Sequence, residues 1–427
     1  MALHLTQKNL PCFYGVILQK TEILLKKCQT WVKEPPKTMK SPKVLALVAL
    51  IAWGSANAAT PNLPALPTLP PPPPMPVPQL TGIQGAILLD VNSGQVLMAE
   101  HAEKPLNPSG LVKLMTAYVL YQAEKQRIVQ PQANIRVADS AWHVQGSRMF
   151  IQPGMPVTMA QLESGLLIDG GNDAAIAIAQ TVAGSVGGFV DLMNRDAGFM
   201  GLRHTHFTNP DGLPQPGQTS TALDIARLSE YLIRAYPEVL QLAGKTAYTY
   251  NHITQYNYNP LAGRADINGL GVGLATKGSW NLDASATRDG RTLVAVVMGA
   301  PSRSAAGSDA SALLHYGWDG WQDVPLYTAG QVVAQIHHGD WSPAAVQGVT
   351  TSAVIVSEPK QQQGTKLNTQ FIPVASLKAP IRAGASIGTL SVSWHGHLLQ
   401  TVPVVAKTAV QPAGWFTRLL HAGESWL

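Results

Sequence analysis

The sequence predicts an α+β chain in which helices pack on an antiparallel sheet, followed by a small all-β domain. Three observations carry this. A hairpin pattern near Ala86 is followed by a block of helical patterns, and strand patterns return after Ile267. That order is the one expected when helices segregate to an antiparallel sheet. From about Val324 to Lys407 only short β-like runs occur, such as Ala353-Val354-Ile355-Val356 and Gly388 to Ser393.

Taken in order, residues 1–58 read as an extension ending in a secretory signal at 39–58. Met39-Lys40-Ser41-Pro42-Lys43 is its basic start, Val44 to Trp53 its apolar run, and Ala56-Asn57-Ala58 its small-x-small cleavage pattern. The apolar run is shorter than the ~20 residues that a bilayer span needs, which disfavours a membrane anchor. Residues 1–38 then read as an over-long translation start. Cys12 and Cys28 both lie there, so the exported chain would hold no disulfide, thiolate nucleophile or cysteine-ligated metal. Residues 59–81 form a proline-rich linker, dominated by Pro61 to Pro78, expected as an extended polyproline II tether rather than a PxxP ligand.

The first domain, 82–322, opens with Ala86-Ile87-Leu88-Leu89, the turn Asn92-Ser93-Gly94 and Gln95 to Met98. Leu111 to Gln126 is apolar almost all round and predicts a buried central helix with Ser109 as its N-cap. Met159 to Ile168, Asp173 to Val182 and Phe189 to Met200 predict further helices. Thr221-x-x-Asp224 opens one that runs through Arg234. Asn281 to Thr287, Asp289-Gly290 and Thr292 to Met298 predict a second hairpin. A β-rich domain follows at 323–407. The tail at 408–427 sets Trp415, Phe416, Leu419, Leu420 and Trp426 on one side of a short helix, for peripheral membrane contact or for docking on its own domain.

Charge excludes one class of partner. The whole chain carries 30 basic and 25 acidic residues, but eight lysines and only two acids fall in residues 1–58. The remainder is close to neutral, which argues against nucleic acid. No His-Glu-x-x-His occurs, the spacing of His204 and His206 fits alternate sides of a strand or loop, and His337, His338, His395 and His397 fall in the β domain without carboxylates at ligand spacing, so neither metal nor cofactor is expected. Gly269 to Gly273 is not followed by Lys-Ser/Thr and is no phosphate loop.

Several stretches recur in one order: Asp90-Val91-Asn92-Ser93-Gly94, the Lys113 helix, Gly154-Met155, Gly171-Asn172-Asp173-Ala174, Thr205-His206-Phe207 and Gly212-Leu213. They continue with Asn281-Leu282-x-Ala284-Ser285-Ala286, Val297-Met298-Gly299, Leu377-x-Ala379-Pro380 and Gly388-Thr389. In these the chain resembles the low-molecular-weight penicillin-binding proteins, the serine-type D-alanyl-D-alanine carboxypeptidases of the bacterial envelope. The resemblance runs from about Gly82 onward. It implies a penicillin-binding-protein/β-lactamase-like domain ahead of the β domain, a periplasmic or exported location, and work on peptidoglycan stem peptides.

It also implies three motifs, and all three are altered. Matching Pro108 to Thr116 without gaps puts Gly110 on the nucleophilic serine and keeps Lys113. The Ser-x-Asn position reads Gly170-Gly171-Asn172, keeping only the asparagine. The Lys-Thr-Gly strand position, counted back from Asn281, reads Gly271-Val272-Gly273. A serine acyl enzyme needs an oxygen at the first position, and glycine has none. Charge-assisted hydrogen bonds to a buried carboxylate contribute ~1.5–3 kcal/mol each, so losing the strand lysine and threonine weakens even non-covalent capture. Lys113 and Asn172 remain, and an isolated buried Lys113 amine is expected to titrate low.

Ser109, four residues before Lys113, is the nearest substitute hydroxyl, but the match places it one residue off. Lys277 lies six residues past the lost strand lysine. Three readings follow. The leading one is a catalytically defective relative that binds or scaffolds in the cell wall, with peptidoglycan or envelope proteins as partners. The second is an active carboxypeptidase using Ser109 and Lys113. The third makes the β domain the functional surface.

Overall fold

The computed structural model describes residues 76–275, 278–362 and 367–414. The expected signal at 39–58, Cys12, Cys28, Lys277 and the tail groups from Trp415 onward lie outside the described residues. Strands β1 (Gly85–Asp90) and β2 (Val96–Glu100) form the opening hairpin. The Asp90 carboxylate closes its turn, accepting from the Asn92 and Ser93 amides at 2.9 and 3.1 Å. Helices α1 (Val112–Lys125), α2 (Asp139–Trp142), α3 (Met159–Leu167), α4 (Asn172–Ala183), α5 (Val186–Phe199), α6 (Ala222–Ala235) and α7 (Val239–Ala243) follow.

After them come a small hairpin, β3 (Ala247–Tyr250) and β4 (Ile253–Tyr256), then β5 (Ile267–Leu274), β6 (Trp280–Arg288) and β7 (Arg291–Ala300). The main sheet runs β2-β1-β7-β6-β5, antiparallel throughout. One face packs on the helical core built around α1, and the other on α8 (Arg303–Gly320). This is the α+β architecture expected from the element order.

Two helix starts show local chemistry overriding or following pattern. Thr221 caps α6 as its spacing suggests, its hydroxyl accepting from the Asp224 amide. Ser109, by contrast, is not the N-cap of α1. It begins a 3-10 turn, Ser109–Leu111, that leads into α1 without any side-chain cap, and its hydroxyl goes elsewhere. Helix α8 was not expected. Its glycines dilute the apolar period and each costs helix stability. Packing explains two of them: a Cβ at Gly317 would lie 2.6 Å from Leu293 and 3.0 Å from Leu88 on the strands, and one at Gly307 would lie 2.8 Å from Pro260.

The C-terminal part is all β. Strands β8 (Trp321–Tyr327), β9 (Val332–His337), β10 (Trp341–Ser342), β11 (Ala345–Thr350), β12 (Val354–Pro359), β13 (Leu367–Pro373), β14 (Ser386–Trp394), β15 (His397–Ala406) and β16 (Gln411–Pro412) build it. Its five-stranded sheet runs β13-β14-β15-β11-β9, while β12 pairs with β8 and β10 with β16. Its own apolar cluster includes Trp341, Ile387 and Val404. The joint with the first part is polar and buried. Gln95 accepts from the Ser357 amide at 2.7 Å and donates to its carbonyl at 3.3 Å, while the Ser93 and Ser357 hydroxyls meet at 2.8 Å.

One buried acid ties α6 to the sheet. Asp283 on β6 is fully buried, accepts from the Ser229 hydroxyl, and has one oxygen without a partner. Burial pushes its carboxyl up to about 7. The folded chain therefore holds this proton more tightly than the unfolded chain, whose carboxyl titrates near ~3.9. Its contribution to stability is full below about pH 4 and lost as pH rises through about 7. One such group gives a slope of up to ~1.4 kcal/mol per pH unit. Urea unfolding between pH 4 and 8 should show Asp283→Asn with a flatter decline than the parent. An unchanged slope would reject the assignment.

Candidate functional site

A cleft of about 450 Å³ opens between the helices and edge strand β5, and it brings together Ser109 and the positions matched to the three motifs. Gly110 sits in the 3-10 turn, Lys113 in the first turn of α1, Gly170 and Asn172 at the start of α4, and Gly271, Val272 and Gly273 on β5. Ser109 lies beside them.

Gly110 is not an open slot. A Cβ built there would lie 2.5 Å from the Val272 carbonyl oxygen and 3.0 Å from the Gly273 Cα. The closeness is mutual, since a Cβ on Gly273 would lie 2.4 Å from the Gly110 nitrogen. Two bare backbones have come together at the position that the ungapped match gives to the nucleophile. A third backbone closes in from the loop at Asp211-Gly212. Gly212 has φ +82°, and a Cβ there would lie 2.1 Å from the Ser109 carbonyl oxygen, so only glycine fits.

The polar remnants hold their own chain. The Lys113 amine donates to the Asp211 carbonyl at 2.5 Å. Burial lowers its pKa to about 8, and the nearby Asp211 and Asp173 charges offset part of that. The Asn172 amide donates to the Gln145 carbonyl at 2.7 Å, and its backbone N–H donates to the Ser147 carbonyl. Ser109 takes a left-handed backbone, φ +53°, and its hydroxyl donates to the Leu274 carbonyl at 2.5 Å. Among the described residues, Ser109 and Lys113 do not hydrogen-bond to each other. The serine's proton goes to β5 and the lysine's to the 211 loop.

The other two altered positions differ from the first. Gly170 has φ +63° with nothing within 4 Å of a built Cβ, so a side chain there meets strain but no obstacle. A Cβ at Gly271 would make ordinary contacts with Leu111 and Leu114 at 3.4 and 3.5 Å. Of Gly110, Gly170 and Gly271, Gly110 is the one whose Cβ would meet backbone.

Reading the sequence gave no role to Asp173 or Asp211. Asp173 accepts backbone N–H groups from Met149, Phe150, Ile151 and Ala174 at 2.8–3.2 Å, pinning one wall of the cleft to α4. An acid in the first turn of a helix was the available signal. Asp169, just before the second motif, is pushed up to about 7 by burial and then by the Asp173 charge.

Comparison with known proteins agrees with this architecture. The profile described as D-alanyl-D-alanine carboxypeptidase matches residues 77–302, and that described as penicillin-binding protein 5, C-terminal domain, matches residues 321–412. The D-alanyl-D-alanine carboxypeptidase DacC of Escherichia coli (strain K12) is 33% identical over 343 residues, covering 78% of this chain and 85% of that protein. DacA of Haemophilus influenzae is 30% identical, covering 80% and 88%. Among solved structures, penicillin binding protein 5 from Haemophilus influenzae superposes with a TM-score of 0.72 at 29% identity, covering 79% of this chain and 99% of that one. Penicillin binding protein 6B from Escherichia coli gives 0.63 at 30%, covering 79% and 98%. With both halves matched in order, the chain belongs to the D-alanyl-D-alanine carboxypeptidase family.

Proposed function

We propose that this chain is a carboxypeptidase-family protein of the bacterial cell envelope that has given up acyl transfer and acts as a peptidoglycan-associated binding or scaffolding protein. The observation that carries the reading is at Gly110. There is no oxygen to attack a carbonyl, and the place a serine side chain would occupy is 2.5 Å from the Val272 oxygen. Covalent catalysis depends on that nucleophile. The supporting observation is that Lys113 and Asn172 each donate to a carbonyl of the chain itself, at Asp211 and Gln145. The signal pattern ending at Ala58 argues for export, and the apolar groups Trp415, Phe416, Leu419, Leu420 and Trp426 for peripheral contact with the outer face of the inner membrane.

The test is labelling of the purified chain with a fluorescent penicillin, with Ser109→Ala alongside. No adduct is expected from either. A stoichiometric covalent adduct on the parent chain would reject the proposal, and its loss in Ser109→Ala would assign the nucleophile to Ser109.

A further inference from the structure

Among the described residues that line the cleft, Lys113 is the one basic side chain. Its surroundings favour the neutral amine. The residue is 9% exposed, so an ammonium there would be poorly hydrated. It stands in the first turn of α1, where the helix dipole opposes a cation. An ammonium has three N–H groups to place, and among the described residues the hydrogen-bond partner of this one is the Asp211 carbonyl alone. Asp211 from its loop and Asp173 from α4 are the charges that pull the other way. Burial outweighs them and leaves the amine titrating at about 8. A desolvated, neutral lysine carries a free lone pair, the form in which lysine attacks carbonyl carbon.

We propose that Lys113 is a covalent capture site for uncharged aldehydes and ketones with an apolar body, held in the cleft as an imine. This rests on the reading that no serine oxygen employs the amine; the Ser109 hydroxyl bonds the Leu274 carbonyl instead.

The step balances without a co-reactant. The Lys113 nitrogen attacks the carbonyl carbon and forms a C–N bond. The carbonyl oxygen takes the two protons of the amine and leaves as water, and a C=N bond remains. Nothing is oxidised or reduced.

The cleft selects the carbonyl compound. Leu213, Tyr258, Val272, Leu274 and Trp280 give it an apolar lining, suited to an alkyl or aryl body. That lining also keeps bulk water from the C=N bond, which water would hydrolyse. Asp211 sets a carboxylate near the amine, which disfavours an anionic compound such as an α-keto acid.

The experiment treats the full chain at pH 7 with benzaldehyde and cyanoborohydride, which reduces an imine to a stable secondary amine. Peptide mass spectrometry then gives the modification rate of each lysine, with the exposed Lys104 and Lys378 as internal references. At that pH about one amine in ten is neutral when it titrates near 8, against ~1 in 2,500 for an ordinary lysine. Lys113 should therefore react roughly tenfold faster than the references, or more, even allowing for the weaker base and the narrower access. The para-carboxylate analogue of benzaldehyde should lose most of that advantage. A Lys113 rate at or below those of Lys104 and Lys378 overturns the proposal, and so does an equal advantage with both aldehydes. Penicillin labelling is scored separately on the Ser109 peptide. An adduct there would sink the non-catalytic reading, whereas a slow Lys113 without such an adduct sinks the imine alone.

Discussion

A Gly110→Ser chain should remain unlabelled by penicillin and should be less stable than its parent by ~1–3 kcal/mol, the usual cost of overpacking. The obstacle is the backbone of β5: the Val272 carbonyl at 2.5 Å and the Gly273 Cα at 3.0 Å from the new Cβ. Neither is the far end of a flexible side chain, so β5 or the 3-10 turn must move as a unit. Moving β5 would also pull the Leu274 carbonyl from the Ser109 hydroxyl.

Gly170→Ser is the matched comparison. Nothing lies within 4 Å of its Cβ, and its cost is the left-handed backbone alone, ~1–2 kcal/mol. Urea midpoints and penicillin gels on the two variants distinguish crowding from strain. A Gly110→Ser chain of parental stability that takes up penicillin would show that β5 opens readily and that the rest of the machinery survives.

Arg291→Ala should cost ~3–5 kcal/mol near neutral pH, because it leaves two buried carboxylates facing each other. Arg291 on β7 holds Asp90 of β1 at 2.7 Å and Asp323 of β8 at 3.1 Å, and donates to the Gly317 and Trp321 carbonyls. It therefore joins the sheet, the end of α8 and the first strand of the β part. Burial, and then the Asp90 charge, push Asp323 up to about 7. Raising pH favours the ionised form of Asp323 beside Asp90, so the repulsion left by Arg291→Ala is larger at pH 8 than at pH 5. Arg291→Lys keeps the charge but loses the fork that reaches both acids and both carbonyls, and should fall between. Unfolding of all three chains at pH 5 and pH 8 checks this. A loss below about 1 kcal/mol at pH 8 would mean that water or a neighbour replaces the guanidinium.

Much of the framework was legible because its signals are local. The run from Val112 to Lys125 is apolar all round, as a central helix must be, and Thr221 and Asp224 mark a helix start with a bond three residues long. Helix α8 was illegible because Gly317 answers to Leu88 and Leu293 on the sheet, and Gly307 to Pro260, and not to their neighbours in sequence. Ser109 misled for the same reason. A serine ahead of an apolar helix reads as a cap, yet its hydroxyl bonds Leu274, 165 residues away.

The order of residues alone gives Gly110, Gly170, Gly271 and Val272 at the positions where the ungapped match expects the family's hydroxyls and ammonium. It also determined the family, since matched stretches keep their order along most of the chain. Only the tertiary structure decided what stands in place of those groups. Whether a vacated position stays open depends on how closely distant backbones approach, and that is set by packing. Gly110 is closed by β5, Gly170 is left open, and Lys113 and Asn172 are turned onto carbonyls of their own chain. Buried donors must find partners, and here the nearest are the loops that wall the cleft.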